Sequence, residues 1–145
     1  MTRLDSAIRR LTAQRELLDW ASRIVAPAGF VLELGLGNGR TYDHLRDRLP
    51  GREIYVFERQ PAAHPSCMPP DGFLLVGDMF ETLPAFITTK GAHRCALVHA
   101  DIGTGDEALN REVALRLSPL LDRLLQPGGL LLADRAFALP GCADI

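Results

Sequence analysis

With 145 residues, 47% of them hydrophobic and 23% charged, the sequence has the balance of one ordinary globular domain, not of a disordered or fibrous chain. A formal net charge of -2 argues against an electrostatic grip on nucleic acid or an acidic membrane. The three cysteines, Cys67, Cys95 and Cys142, form no Cys-x-x-Cys pair, no apolar run is long enough to span a bilayer, and MTRLDSAIRR is too polar for a signal peptide, so the expected setting is cytoplasmic and reducing.

In chain order, residues 4 to 25 read as an amphipathic helix: Leu4, Ile8 and Leu11, then Leu17 or Leu18, Ala21, Ile24 and Val25 recur at helical spacing. Pro27 and Gly29 end it. Five apolar runs of strand length follow, Phe30–Leu34, Glu53–Phe57, Phe73–Val76, Cys95–Ala100 and Leu130–Ala133. Their inner portions are nearly continuous hydrophobe, the pattern of parallel strands buried on both faces. Between them, Thr41–Leu49 reads as a helix, Pro84 suits the first turn of another running toward Lys90, and Asp106–Leu125 is the longest, with Pro119 expected to kink or divide it. The proline-rich stretch from Gln60 to Gly72 reads as a loop. The expected fold is α/β: an open, mostly parallel, doubly wound sheet of about five strands with helices on both faces. Residues 1–29 supply an N-terminal helix, 30–135 the core and 136–145 a tail, and ligand is expected beyond the carboxyl ends of the strands, near the first.

The first strand runs into Glu33-Leu34-Gly35-Leu36-Gly37-Asn38-Gly39. Glycines at alternate positions let the backbone turn sharply and approach a ligand, and the helix start beyond adds free amides. A dinucleotide fingerprint wants a sixth-position glycine, where Arg40 stands, and a phosphate-binding Gly-Lys-Ser/Thr ending is absent. Acid-x-Gly-x-Gly-x-Gly instead resembles the first motif of class I, Rossmann-like, S-adenosylmethionine-dependent methyltransferases. The resemblance continues in Glu58 at the end of the second strand, Val76-Gly77-Asp78-Met79-Phe80 after the third, His99-Ala100-Asp101-Ile102-Gly103 after the fourth, and Gln126-Pro127-Gly128-Gly129 before the fifth.

That resemblance implies S-adenosyl-L-methionine as cofactor. It implies that Glu33, Gly35, Leu36, Gly37 and Gly39 shape a cradle, with Asn38 and the turn from Arg40 to Tyr42 near the methionine end. Glu58 would take the ribose hydroxyls, with Arg59 beside it, or else be a solvated strand-end acid. Gly77, Asp78 and Met79 would hold adenine, and Asp78 also suits a helix cap. Asp101 and Ile102 would face the methionine moiety or the acceptor. Trp20 either packs in the core or closes over the cofactor.

His99 and Asp101 are the best placed candidates for a base, although a histidine in an apolar strand is more often packed and hydrogen-bonded. Catechol-type relatives hold a divalent ion with an Asp after the fourth strand and an Asp-Asn pair after the fifth. Here Arg135 follows Asp134, so no metal is expected, and Arg135 is expected to neutralise Asp101 or to bind an anionic acceptor. Nothing after residue 136 supplies the family's sixth and seventh strands, so a homo-oligomer is expected to cover the open sheet edge or the long helix. The function expected is methyl transfer to a small-molecule acceptor, with neither nucleic acid nor membrane as partner. A cofactor-binding module without turnover and a dinucleotide-dependent oxidoreductase remain as alternatives.

Overall fold

The computed structural model describes residues 1–145 and is a five-stranded, all-parallel open sheet in the order β3-β2-β1-β4-β5. The strands are β1 (Phe30–Leu34), β2 (Ile54–Glu58), β3 (Leu74–Val76), β4 (Cys95–Ala100) and β5 (Leu125–Ala133), and the helices are α1 (Arg3–Ile24), α2 (Arg40–Arg48), α3 (Met79–Lys90) and α4 (Glu107–Leu124). Period-two alternation sends successive side chains to opposite faces. Val31, Val56, Leu97 and Leu132 join Leu18, Ala21, Tyr42 and Leu45 of α1 and α2 in one buried cluster. Leu32, Leu34, Phe57 and Val98 join Leu83, Phe86, Leu117 and Leu121 of α3 and α4 in the other. Chain order reverses between β1 and β4, which opens a crevice at their carboxyl ends.

The helices depart from the sequence reading in three places. α1 is capped as a reciprocal box, Thr2 Oγ1 accepting from the Asp5 amide at 3.1 Å and Asp5 Oδ2 from the Thr2 amide at 2.9 Å. Of its apolar stripe, however, only Leu18 and Ala21 are buried, while Leu4 is 69% and Ile8 55% exposed. The 22-residue helix is about 33 Å long, whereas a five-residue strand gives it about 17 Å of sheet to lie on. Its first half therefore projects past the carboxyl ends of the strands.

α3 begins at Met79, five residues before Pro84, because the Asp78 side chain accepts from the Phe80 amide at 2.9 Å and caps it there. Pro119 does not divide α4, which Leu117, Leu121 and Leu124 anchor to the sheet on both sides of the proline. β5 starts earlier than expected, directly after α4. Its register against β4 jumps from Cys95↔Leu125 to Leu97↔Leu130, so Gln126–Gly129 bulges out of the strand rather than preceding it as a turn.

The overhang of α1 separates two leucines that share its apolar stripe. Leu18→Ala should cost about 2–5 kcal/mol in urea unfolding, and Leu4→Ala should stay within about 0.5 kcal/mol; equal losses would contradict the placement.

Candidate cofactor and acceptor site

The crevice is floored by the turn from β1 into α2. Gly35, Gly37 and Gly39 all take positive φ, at 86°, 54° and 86°, a path closed to most side chains. The Gly35 amide donates to the Phe57 carbonyl at 2.8 Å, and the Arg40 amide to Asn38 Oδ1 at 3.1 Å. Glu58, ending β2, holds the rest: Oε1 accepts from the Leu36 amide at 3.0 Å and the Gly37 amide at 3.2 Å, and Oε2 from the Gln60 amide at 3.1 Å. Burial alone would push this carboxyl up, but those amide donors outweigh it and hold Glu58 below its ordinary range.

Two further segments reach the same edge. After β3, the Gly77 amide donates to the Glu58 carbonyl at 3.1 Å, Asp78 stands exposed, and Met79 packs on the core. After β4, Ile102 lies over the turn, so that a β-carbon on Gly35 would come within 3.2 Å of its Cγ2. The segment from Asp101 to Asp106 is held at three points. Gln14 Nε2 of α1 donates to Asp101 Oδ2 at 2.7 Å, the Gly103 amide donates to Asp134 Oδ2 at 3.1 Å, and Thr104 and Asn110 exchange three hydrogen bonds of 2.8–3.0 Å. Sequence reasoning missed Gln14 and Asn110. Asn110 was findable as a polar residue, with Ser118, on the buried stripe that continues through Leu117 and Leu124.

The sequence-derived residues thus divide. Gly35 to Gly39, Glu58, Gly77 to Met79, Asp101 and Ile102 gather along one rim, with Arg59 exposed beside Glu58. Arg40 is exposed and shares a separate concavity with Asp43, His44, Arg46 and Asp47. Tyr42 is buried in the cluster beneath α1 and α2, its ring 5.2 Å from the Arg46 guanidinium. Trp20 lines, with Leu17 and the β5 edge, a cavity of about 800 Å³ away from the glycine turn.

Arg135 is a correction. Its guanidinium forks onto the neighbouring Asp134, at 3.2 and 3.0 Å, instead of reaching Asp101. Burial would raise Asp134, but that fork and the Gly103 amide hold it low. No group of three or more His, Cys, Asp or Glu side chains is gathered where it could hold a metal ion. His99, 3% exposed, has its Nδ1 2.6 Å from Oε1 of the fully buried Glu33, while Glu33 Oε2 has no partner.

A strand-end acid, an open glycine turn and acids at the next two strand ends fit an adenosyl amino acid better than a pyrophosphate: Gly37 is solvent-exposed with nothing within 4 Å of a β-carbon placed there, and the buried Glu33 oxygen suits a cation. Comparisons agree. The family described as S-adenosyl-L-methionine methyltransferase matches residues 1–145. The crystal structure of an S-adenosyl-L-methionine methyl transferase from Silicibacter pomeroyi DSS-3 is similar with a TM-score of 0.83 and 43% identity, over 97% of this chain and 87% of that one. A protein of Anaeromyxobacter dehalogenans, named as a candidate type II methyltransferase, shares the fold at a TM-score of 0.52 and 18% identity, over 82% of this chain and 46% of that one. No curated protein matches. On the whole-length match and the 43% identity, the chain belongs to the S-adenosyl-L-methionine methyltransferase family.

Proposed function

We propose that this methyltransferase acts in the cytoplasm on a small-molecule acceptor, with the Gly35–Gly39 turn, Glu58, Asp78, Met79, Asp101 and Ile102 forming its cofactor site. The observation that carries the reading is the clamp of Glu58 on the Leu36 and Gly37 amides of the turn after β1, beside the point where strand order reverses. When bound, S-adenosyl-L-methionine supplies an electrophilic methyl group on a sulfonium. Glu58 offers the ribose hydroxyls what remains of its roughly four acceptor positions, three being taken by amides. Asp78 and Met79 bracket the adenine. Ile102, pressed over Gly35, keeps water from the reacting end, and the clamped Asp101–Asp106 segment forms the acceptor wall.

His99 and Asp101 are both engaged, one with Glu33 and one with Gln14. The reading is therefore catalysis by alignment of an acceptor that is already nucleophilic, for which proximity supplies the acceleration. The same engagement favours the second reading, a cofactor-binding module without turnover. A small acceptor is supported by the net charge of -2, which offers no attraction to nucleic acid. The unpaired outer edge of β5, with Leu17 41% exposed and Trp20 beside it, supports a homo-oligomer. The three free cysteines suit a reducing compartment, and no helix is long and apolar enough to cross a membrane.

Thermal unfolding beside S-adenosylmethionine, S-adenosylhomocysteine and NAD tests the reading. At one hundred times the dissociation constant, the two sulfur compounds should each add about 2.7 kcal/mol and NAD nothing; a shift with NAD alone would favour an oxidoreductase. Binding without transfer to any acceptor pool would favour the non-catalytic reading, and a strictly monomeric protein in sedimentation would remove the homo-oligomer.

Glu58→Gln should weaken S-adenosylhomocysteine about tenfold or more through loss of a charged acceptor. Because the Glu58 carboxyl is held low in the fold, its contribution to stability is full above the unfolded value of about 4.3 and is lost as pH falls through the folded value. Hydrogen exchange at the Leu36 and Gly37 amides should accordingly lose protection below about pH 4. Asn110→Ala, which strips the partners of Thr104, should cost about 1–3 kcal/mol and raise the acceptor KM more than it weakens cofactor binding; equal effects on both would contradict the acceptor wall.

A further inference from the structure

The apolar stripe of α1 outruns the sheet. Leu4, Ala7, Leu11, Gln14, Leu18 and Ala21 follow one another at alternating spacings of three and four residues, so they share one side of the helix. Leu18 and Ala21 are buried with Val31, Leu97 and Leu132, which turns that side toward the sheet. One turn earlier Gln14 donates to Asp101 beyond the end of β4. From there the helix runs on for about 15 Å to Leu4 with no strand beneath it. So short an unsupported stretch is marginal by itself, yet the reciprocal box of Thr2 and Asp5 holds its first turn wound. The overhang thereby keeps an apolar strip, with Leu4 and Ile8 exposed and Leu11 half-buried, above the mouth of the crevice.

The flanks of this strip are cationic. Arg3 and Arg10 lie on the line of Leu17, which faces the outer edge of β5. Arg15 lies beside Ile8 on the line of Asp19, which reaches His44 and Arg48 of α2. Neither Arg3, Arg10 nor Arg15 makes an ion pair. The acids of the same half do not offset them, because Asp5 is turned back onto Thr2 and Glu16 stands on the opposite side of the helix. Across the crevice the balance is reversed: Asp101, Asp106 and Glu107 stand there beside the Asp134–Arg135 pair. A molecule spanning the gap meets leucines and cations at one end and acids at the other. Gln14 aims the strip at the crevice and not at bulk solvent, which favours an occupant of the crevice over a membrane or a second copy.

We propose that the overhang of α1 selects the methyl acceptor, an apolar molecule that carries a carboxylate or similar anion at the end remote from its nucleophile. Leu4 and Leu11 cover the apolar body, Arg3 and Arg10 take the anion, and the nucleophile points down toward the Asp101–Asp106 wall. The inference rests on the cofactor and acceptor site proposed above and names the acceptor class for it. The methyl group passes from the sulfonium sulfur to that nucleophile, whose lone pair forms the new bond as the carbon–sulfur bond breaks and S-adenosylhomocysteine is left.

The test uses 2-naphthoate, 2-naphthamide and 2-naphthylmethylammonium, which share one apolar body and differ in charge. Titrated into the intact protein saturated with S-adenosylhomocysteine, the carboxylate should bind about tenfold tighter than the ammonium, with the amide between them. It should shift backbone NMR signals both in Leu4–Leu11 and in Ile102–Gly105. Leu4→Ala, and Arg3→Gln with Arg10→Gln, all at exposed positions, should each weaken 2-naphthoate about three- to tenfold and leave S-adenosylhomocysteine within about twofold. No binding of any of the three, equal affinity for carboxylate and ammonium, signals shifted in α1 alone, or a 2-naphthoate affinity that survives both variants would overturn the proposal. So would a dimer, or adsorption to phosphatidylserine vesicles, that Leu4→Ala abolishes, since the strip would then belong to a second copy or to a membrane. Failure of S-adenosylhomocysteine to bind the unaltered protein would remove the cofactor site instead, and the three naphthalenes titrated without it would still show whether the strip holds an anion.

Discussion

The turn that ends β1 sets amides free that neither a strand nor a helix can use. Here the Glu58 carboxylate takes two of them, accepting from Leu36 and Gly37 at 3.0 and 3.2 Å, and it also accepts from the Gln60 amide at 3.1 Å. That contact ties the end of β2 to the start of α2 and so fixes the floor of the crevice. The third strand follows, because the Gly77 amide hangs from the carbonyl of the same residue. One residue, through its side chain and its backbone carbonyl, therefore links three strand ends. Under the proposed cofactor site, a carboxylate already holding three amides would have to give one up to take two ribose hydroxyls, so the turn and the ribose would compete for one acceptor.

The opposite wall is built by polar clamps that reach across elements. Gln14 on Asp101, Asp134 on Gly103 and Asn110 on Thr104 each come from a different element, α1, the end of β5 and α4. The segment after β4 is thereby shaped by the whole fold and not by its own sequence. Beneath it, the Glu33–His99 pair introduces buried polarity into an otherwise apolar face.

Much of this was legible because it is local. Alternation of apolar runs with helical periods pointed to an open, mostly parallel sheet, with β1 and β4 to the residue, and the motifs to the glycine turn and the acid at the end of the second strand. Four features were not legible from periodicity and motif alone. The apolar stripe of α1 continues through Leu4 and Ile8, and periodicity cannot show that the sheet beneath it ends first. Pro84 marks a helix start by propensity, yet the Asp78 cap decides it. Arg135 stands where an amide was expected, and only coordinates show that it folds back on Asp134. Tyr42, placed near the methionine end by proximity to the glycines, turns inward because it lies on the same buried face of α2 as Leu45.

The most direct test of the cofactor site is a crystal structure of the protein with S-adenosylhomocysteine. The account predicts the ligand across the Gly35–Gly39 turn, its ribose at Glu58 and its adenine against Asp78 and Met79. Ligand in the cavity along the outer edge of β5, or density that leaves the Glu58 clamp and the glycine turn untouched, would contradict it.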